Sequence, residues 1–200
     1  RDWLGIFSSK AKDTNLIFLG GEPTLHPDLA SAVSIAGSMG FKSITIDTNG
    51  FLFHNILDNI EPNQIDFFSF SLDGVSKGIN DAIRGDGCFD AVMSGISNAV
   101  KKGFSCSMIY TVSEKNIHEV SKLPELVKKL GISRFFIQVV GLRGESENTD
   151  AKQQVSKSIW QETIPKTAEQ IAEQGIIVTY PKVFLTHGDT FECAEIGRAS

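Results

Sequence analysis

The 200-residue sequence has few cysteines, no excess of positive charge and no long apolar run. Its three cysteines, Cys88, Cys106 and Cys193, include no close pair, which argues against a disulfide framework and against a four-cysteine zinc site. Reduced thiols are typical of the cytoplasm, and we expect that location. The 19 Lys and Arg against 24 Asp and Glu give a net charge of -5, so the basic face that nucleic acid requires is not expected.

Other sequence signals are missing as well. No apolar stretch reaches the roughly 18–20 residues that a membrane helix needs, and no signal-peptide pattern is visible. A Gly-x-Gly-x-x-Gly or Walker motif is absent, which disfavours a nucleotide phosphate cradle. The four histidines lack the spacing of metal ligands. With 41% hydrophobic and 22% charged residues, the composition indicates a globular chain with a core of ordinary size.

A repeated unit of one short apolar run, one polar loop and one helical stretch predicts a parallel sheet with crossover helices. Several of the runs are almost continuously apolar, as expected of strands that are covered on both faces. The predicted strands are Leu16–Leu19, Ser43–Asp47, Ile65–Ser71, Ser105–Thr111, Arg134–Val139 and Ile176–Thr179.

Amphipathic helices are predicted between the strands, over Pro27–Met39, Phe89–Lys102, Asn116–Leu130 and about Ala151–Gln174. In the third of these, Glu119 is expected to face solvent. A glycine, as in Gly40, Gly103, Gly131 and Gly175, follows each helical stretch, where a left-handed cap residue is favoured. Such a succession forms either an open doubly wound sheet or a partial barrel, and the periodicity does not distinguish the two.

Polar and conformationally special residues gather at the predicted carboxyl ends of the strands, where ligands bind in both architectures. The opposite ends carry plain helix-to-strand turns such as Lys102-Gly103. This asymmetry predicts a single functional face. Its segments are Gly20–Thr24, Asp47–Gly50, Ser71–Gly74, Tyr110–Ser113 and Gln138–Gly141.

Each segment also has an ordinary structural explanation. Gly20 and Gly21 suit any tight turn, and Asn49 tolerates a positive φ. An arginine such as Arg84 is most often a solvated surface residue. Asp47 and Asp73 lie on neighbouring predicted elements and are the alternative candidates for binding a cation.

Taken in order, the segments resemble the radical S-adenosylmethionine superfamily. Ile17–Leu29 is similar to the family's GGEP segment, and Thr48–Gly50 matches the loop after the next strand. Phe70–Gly74 followed by Asn80-Asp81-x-x-Arg84-Gly85 matches the third element, and Val112–Asn116 resembles the V-x-x-x-N that opens the following helix. The likeness extends from about Leu16 to Gly141. Several motifs in the correct order are specific, although each one alone would be weak.

The resemblance implies an α/β fold, a partial (β/α)6 TIM-like barrel with parallel strands and outer helices. It also implies an oxidoreductase with a [4Fe-4S] cluster and S-adenosylmethionine as cofactors. Reductive cleavage of the sulfonium would give a 5′-deoxyadenosyl radical that abstracts a hydrogen atom from a small-molecule or peptide substrate. An electron donor such as flavodoxin or ferredoxin is implied, and no nucleic-acid or membrane partner.

The motif residues suit the parts of S-adenosylmethionine. The ammonium would meet the carbonyls of Gly20, Gly21, Glu22 and Pro23 and the Glu22 carboxylate, and the carboxylate would meet Ser71 and Arg84. A ribose hydroxyl would pair with Asp73 or Thr111, and adenine would lie against the segment that contains Gln138 and Val140. The loop residues Thr48 and Asn49 complete the expected cofactor-binding set. No catalytic residue is assigned.

One departure from the family pattern is large. The family holds its cluster with a C-x-x-x-C-x-x-C loop, which this sequence lacks. Because the first fourteen residues look like the helix that follows that loop, we expect the first strand and the cluster loop to lie upstream of Arg1. The 200 residues alone are then expected to be inactive. A naturally clusterless relative is the competing explanation.

We expect residues 1–180 to form the incomplete core domain and residues 181–200 to begin a C-terminal extension. Cys193, in Phe191-Glu192-Cys193-Ala194, is a candidate ligand of an auxiliary cluster there, with a lone thiol as the alternative. Without a preceding strand, Leu16–Leu19 would be an exposed apolar edge, which predicts self-association.

Two other functions remain open. A non-catalytic, clusterless binding module would keep the cleft and bind a nucleoside or a peptide. An ordinary lyase or isomerase would use Glu22 and Asp73 as acid and base. The substrate is not identified by any motif.

Overall fold

The structure, a computed structural model, describes residues 2–10, 14–140 and 154–184. The six strands are β1 (Asn15–Phe18), β2 (Ser43–Thr48), β3 (Phe67–Ser71), β4 (Cys106–Val112), β5 (Arg134–Val139) and β6 (Ile177–Thr179). The α-helices are α1 (Asp2–Lys10), α2 (Leu29–Ser38), α3 (Lys77–Arg84), α4 (Cys88–Lys101), α5 (Leu123–Leu130) and α6 (Lys157–Ala172). Short 3₁₀ turns cover Pro23–Leu25, Phe53–Asp58, Pro62–Gln64 and Ile117–Lys122.

The strands form one sheet in the order in which they occur in the chain, from β1 to β6. β1 pairs in parallel with β2, β2 with β3, and β5 with β6, in the register Ile17 to Thr45, Ile46 to Phe68 and Phe135 to Val178. A doubly wound sheet reverses its strand order in the middle, whereas a (β/α) barrel keeps the chain order. The order therefore selects the barrel-type arrangement, and the predicted parallel α/β fold is confirmed.

The described residues divide into two compact units. Unit 1 lies within Arg1–Ser71 and Asp90–Ser107, and unit 2 lies within Leu72–Phe89 and Met108–Ser200. The predicted boundary near residue 180 stays a prediction.

An aromatic cluster forms the centre of unit 1. The ring of Phe53 lies 4.7 Å from that of Phe68 and 4.8 Å from that of Phe70, both edge-on, and Phe104 lies 5.1 Å from Phe68. Such edge-to-face pairs add stabilisation beyond the burial of apolar area. A Cβ at Gly95 would lie 3.3 Å from both Phe53 and Phe70, so α4 approaches this cluster closely because residue 95 has no side chain.

Unit 2 has its own core. Tyr110 and Val112 of β4, Phe135 and Ile137 of β5, and Ile164 of α6 are all essentially buried. In β5 the buried residues alternate with more exposed ones, as the two-residue period of a strand requires. Helix α6 also buries Trp160, and it continues through Pro165.

The predicted strands and the helices Pro27–Met39 and Phe89–Lys102 are confirmed to within two residues, whereas α6 begins six residues later than predicted. Gly40, Gly103, Gly131 and Gly175 all have positive φ. Two details were wrong. The predicted helix Asn116–Leu130 is a 3₁₀ turn followed by α5, because Pro124 lacks an N–H and begins a new helix. Helix α3 was not predicted. In the described part of the chain, no helix is long and apolar enough to cross a membrane.

Candidate functional site

In unit 1, the Glu22 carboxylate joins the loop after β1 to the end of β2. Its Oε1 accepts hydrogen bonds from the backbone N–H of Thr24 (3.1 Å), the Thr24 hydroxyl and the Thr48 hydroxyl (2.9 Å). Its Oε2 accepts the N–H of Asn49 at 2.7 Å. A carboxylate offers about four acceptor positions, so these four donors use most of its capacity. Glu22 therefore fixes the two loops against each other.

The loop after β2 is rigid around Thr48. Thr48 is buried, and its hydroxyl oxygen also accepts the N–H of Gly50 at 3.0 Å. Gly50 has φ +72°, and a Cβ there would lie 2.9 Å from the side chain of Val92. A larger residue at position 50 would be strained in conformation and would collide with α4.

Asp47, on β2, is a half-buried carboxyl group. Burial raises its pKa, and a hydrogen bond with Ser69 partly opposes that effect. Within residues 2–10, 14–140 and 154–184, no group of three or more His, Cys, Asp or Glu side chains would hold a metal ion. The described residues thus give no support to a metal site built around Asp47.

In unit 2, Asp73 is the centre of a polar network. Its Oδ2 lies 2.8 Å from Nε of Arg84, and its Oδ1 accepts the N–H of Thr111 at 2.9 Å. The backbone N–H of Asp73 donates to Oδ1 of Asn80 at 3.0 Å. The largely buried Asp73 carboxylate therefore forms an ion pair with the Nε side of the Arg84 guanidinium, although Nε is buried and is not aligned for a hydrogen bond.

Asn116 extends the network to the end of β4. Its amide nitrogen donates to the carbonyls of Asp73 (2.9 Å) and Thr111 (2.8 Å), and its Oδ1 accepts the N–H of Ser113 at 2.8 Å. Asn116 is fully buried. One side chain thus fixes the loop after β3 and the loop after β4 together within unit 2.

Glu119 was wrongly predicted to face solvent, since the side chain is only 3% exposed. Its Oε2 accepts the N–H groups of Val75 (2.9 Å) and Ser76 (3.2 Å), just before α3. Burial alone would raise the pKa of Glu119, but these bonds, the Ser76 hydroxyl and the charge of Lys122 together hold it below its usual value. Helical periodicity placed Glu119 on the outer face of the predicted helix and gave no sign of this long-range contact.

Helix α3 is also held at its carboxyl end. The Asp81 carboxylate accepts the N–H groups of Phe89 (2.8 Å) and Gly87 (3.0 Å). These bonds, chiefly that from Phe89, lower the pKa of Asp81. They fix the turn between α3 and α4, the segment that follows Arg84.

The remaining predicted site residues are less engaged. Gly20 and Gly21 are exposed, and Pro23 begins the 3₁₀ turn that Glu22 caps. Ser71 is half-buried at the end of β3, and Gln138 is exposed on β5. Val140 donates its N–H to the carbonyl of Val112 at 3.2 Å, within unit 2. The roles predicted for these residues stay predictions.

The two described cysteines, Cys88 and Cys106, form no disulfide and lack the setting of cluster ligands. Burial raises the pKa of Cys106 to about 12, which disfavours the thiolate that a metal requires. The Cys88 thiol lies 3.3 Å from the carbonyl of Arg84. Cys193 lies outside the described residues. The described residues therefore do not fit a [4Fe-4S] cluster, whereas Arg84 does suit a carboxylate-bearing ligand.

Curated relatives match part of the chain. A probable GTP 3′,8-cyclase of Saccharolobus islandicus (strain L.S.2.15 / Lassen #1) is 31% identical over 131 residues, which is 64% of this chain and 42% of the relative. An Fe-coproporphyrin III synthase of Methanosarcina barkeri (strain Fusaro / DSM 804) is 29% identical over 133 residues, covering 64% of this chain and 33% of the relative. The chain thus spans less than half the length of the curated relatives it matches.

Solved structures share the fold. SuiB of Streptococcus suis superposes with a TM-score of 0.73 at 16% identity, covering 90% of this chain and 42% of SuiB. The SuiB structure bound to S-adenosylmethionine gives a TM-score of 0.66 at 15% identity, covering 84% of this chain and 39% of SuiB. At these identities the likeness shows the fold alone.

The family model described as the Radical SAM superfamily matches residues 4–127. This stretch is more than half of the chain, and it includes the Glu22, Asp73, Arg84 and Asn116 contacts described above. The chain therefore belongs to the radical S-adenosylmethionine superfamily.

Proposed function

We propose that this chain is the S-adenosylmethionine-binding core of a radical S-adenosylmethionine oxidoreductase. When bound with a reduced [4Fe-4S] cluster, S-adenosylmethionine supplies a 5′-deoxyadenosyl radical that abstracts a hydrogen atom from the substrate. The family match supports this class of chemistry. The observation that carries the proposal is the Asp73–Arg84 ion pair, whose 2.8 Å contact lies at Nε of the guanidinium.

Arg84 is the residue proposed to bind the methionine carboxylate. Its side chain keeps 23% of its exposure while Asp73 fixes Nε. The terminal nitrogens thus present a charged, oriented donor pair that suits a carboxylate. The donor role predicted for Ser71 stays a prediction.

The methionine ammonium is proposed to meet backbone carbonyls of Gly20 and Gly21. The Glu22 carboxylate already accepts four hydrogen bonds, so its main task is to hold this loop in shape. Thr48 and Asn49 donate hydrogen bonds to Glu22, so these two residues help to hold the loops after β1 and β2 together. Pro23 rigidifies the loop exit.

In unit 2, Thr111 is proposed to contact the ribose, since the Asp73 carboxylate is occupied by Arg84 and by the Thr111 N–H. Gln138 and Val140 are proposed to contact adenine. Asp73 then acts on the ligand mainly through Arg84. A substrate that is a small molecule or a peptide fits the proposal equally well.

The cluster ligands are proposed to lie outside these 200 residues, because the sequence contains no C-x-x-x-C-x-x-C segment. The 200 residues alone would then bind S-adenosylmethionine without cleaving it. The parent enzyme is proposed to work in the cytoplasm with a flavodoxin or a ferredoxin as electron donor.

The proposal is tested by calorimetric titration of the chain with S-adenosylmethionine. Arg84→Ala is expected to weaken binding about tenfold or more, since a hydrogen bond to a charged group contributes about 1.5–3 kcal/mol. Lys128→Ala removes an exposed cation from α5 and serves as the matched control with unchanged affinity. Absence of saturable binding, or equal affinity in the Arg84 variant, would reject the proposal.

A clusterless binding module remains the second candidate. It is favoured by one observation, that the described cysteines are dispersed in the chain and that burial raises the pKa of Cys106. Anaerobic reconstitution of the parent protein with iron and sulfide separates the two. Bound iron together with reductive release of 5′-deoxyadenosine supports the oxidoreductase, and S-adenosylmethionine binding without iron supports the module.

A further inference from the structure

Glu119 is a buried carboxylate aimed at the start of α3 from a distant part of the chain. It lies in the 3₁₀ turn Ile117–Lys122, and it accepts the N–H groups of Val75 at 2.9 Å and of Ser76 at 3.2 Å. The side chain is 3% exposed. A buried charge of this kind is tolerated when several donors satisfy it, and here the donors belong to one short segment.

Helix α3 does not cap its own amino end. Its N-cap residue, Ser76, makes no side-chain hydrogen bond to the first turn. The N–H groups at a helix start lack partners within the helix, and the helix dipole places partial positive charge there. Glu119 accepts the N–H groups of the N-cap residue Ser76 and of Val75 before it, and its negative charge lies near the positive end of the helix dipole.

The position of α3 determines the position of Arg84, because Arg84 is the last residue of this eight-residue helix. A helix of that length is a rod of about 12 Å, so a shift at one end is transmitted to the other. Near its middle, α3 crosses Gly74 so closely that a Cβ there would lie 2.3 Å from the backbone nitrogen of Asn80. The Glu119 hydrogen bonds and the close packing at Gly74 together fix the position of α3.

We propose that Glu119 is a positioning residue that orients Arg84 toward the carboxylate of S-adenosylmethionine by capping α3. This inference rests on the proposed function, in which Arg84 binds that carboxylate. Glu119 does not itself touch the ligand. It differs from a merely structural residue because its loss should weaken the binding of the carboxylate portion of the ligand and leave the binding of the rest unchanged.

The test compares two ligands, S-adenosylmethionine and 5′-methylthioadenosine, which lacks the amino acid portion and therefore the carboxylate. Glu119→Gln removes the charge while keeping the size of the side chain. It is expected to lower the affinity for S-adenosylmethionine about tenfold and to change the affinity for 5′-methylthioadenosine by less than about twofold. The matched control, Glu125→Gln, removes an exposed carboxylate from α5 and should change neither affinity.

A double-mutant cycle identifies the route. In the Arg84→Ala background, Glu119→Gln is expected to cause no further loss of S-adenosylmethionine affinity, because the contact it orients is already gone. A rescue variant adds a local cap. Ser76→Asp places a carboxylate at the N-cap, and in the Glu119→Gln background it should restore part of the lost affinity. Far-ultraviolet circular dichroism of each variant confirms that binding is measured on folded protein.

Three results would overturn the inference. The first is that Glu119→Gln lowers the affinity for both ligands equally, and the second is that it lowers neither. The third is that its effect on S-adenosylmethionine affinity adds to that of Arg84→Ala. A Glu119→Gln variant that is unfolded and is not restored by Ser76→Asp would also overturn it, as the role would then be general stability. Failure of the proposed function looks different, because in that case Arg84→Ala itself would not favour 5′-methylthioadenosine over S-adenosylmethionine.

Discussion

Arg84 and Asp73 form an ion pair through Nε and Oδ2 at 2.8 Å, while the other oxygen of Asp73 accepts the N–H of Thr111. The pair thus links the end of α3 to the end of β4 within unit 2. A lone surface arginine would sample many rotamers, whereas this one is paired with a carboxylate that is itself fixed by the Thr111 N–H. The guanidinium is therefore oriented by the protein before any ligand arrives.

Asp73→Asn is expected to lower the free energy of unfolding by about 1–3 kcal/mol, because it leaves Arg84 beside a neutral amide in a mostly buried position. Urea unfolding followed by circular dichroism measures the effect. The matched control is Asp58→Asn, which breaks the exposed Lys102–Asp58 pair and should cost less than about 1 kcal/mol. An equal decrease in the free energy of unfolding for the two variants would contradict the conclusion that the Asp73–Arg84 pair stabilises the fold.

Tyr110→Phe is expected to leave stability unchanged or to raise it by up to about 1 kcal/mol. The hydroxyl of Tyr110 is buried, and in the part of the chain that the structure describes it has no hydrogen-bond partner. Removing a buried polar group without a partner removes a desolvation cost. Thermal unfolding of the variant tests this. A loss above about 1 kcal/mol would mean that the hydroxyl is satisfied in solution.

Asp47→Asn is expected to stabilise the protein increasingly as the pH rises from about 3 to 7. Burial raises the pKa of Asp47 in the folded state, so the native protein holds this proton to a higher pH than the unfolded chain does. The group therefore lowers stability as the pH rises from the unfolded pKa through the folded pKa. Free energies of unfolding at several pH values measure the difference.

The matched carboxyl for this comparison is Glu119, whose pKa is lowered on folding. Its contribution has the opposite sign, since it is fully present above the unfolded pKa and is lost as the pH falls through the folded pKa. Glu119→Gln should thus lose most stability near neutral pH and least in acid. Parallel pH dependences for the two variants would contradict both assignments.

Self-association through the β1 edge is expected to increase with protein concentration. In the described sheet β1 is a terminal strand, and Ile17 and Leu19 are 48% and 69% exposed. Unpaired strand edges with apolar side chains promote pairing between chains, and charges on the edge prevent it. Ile17→Lys should reduce association in sedimentation velocity, whereas Ile159→Lys, at an exposed position on α6, should not. A monomer at all concentrations would contradict this prediction.

The sequence predicts much of the fold because the strands are locally marked. Apolar runs bounded by loops define the strands, and Gly103 and Gly131 mark the ends of helices through their positive φ. Helix α3 escaped prediction because Gly78, Asn80 and Asp81 are poor helix formers in so short a segment. What holds this helix in place is tertiary contact, which local propensity does not record.

The sequence identified most residues of the candidate site, but it did not predict the contacts that each of them makes. The motif identified Glu22 and Asp73, but it did not reveal that both carboxylates are occupied by protein donors. Glu119 lies outside the quoted motifs, and its helical spacing suggested a solvated position. Contacts across more than forty residues, such as that from Glu119 to Val75, depend on the strand order and have no local signature.

The close approach at Gly74 has a consequence for ligand affinity. With no room for even a methyl group between residue 74 and the backbone of Asn80, the turn after β3 and the middle of α3 are in direct backbone contact. Their conformational entropy is lost when the chain folds, so a ligand that arrives later does not have to immobilise them. Association at this turn should accordingly be fast and free of a slow rearrangement step.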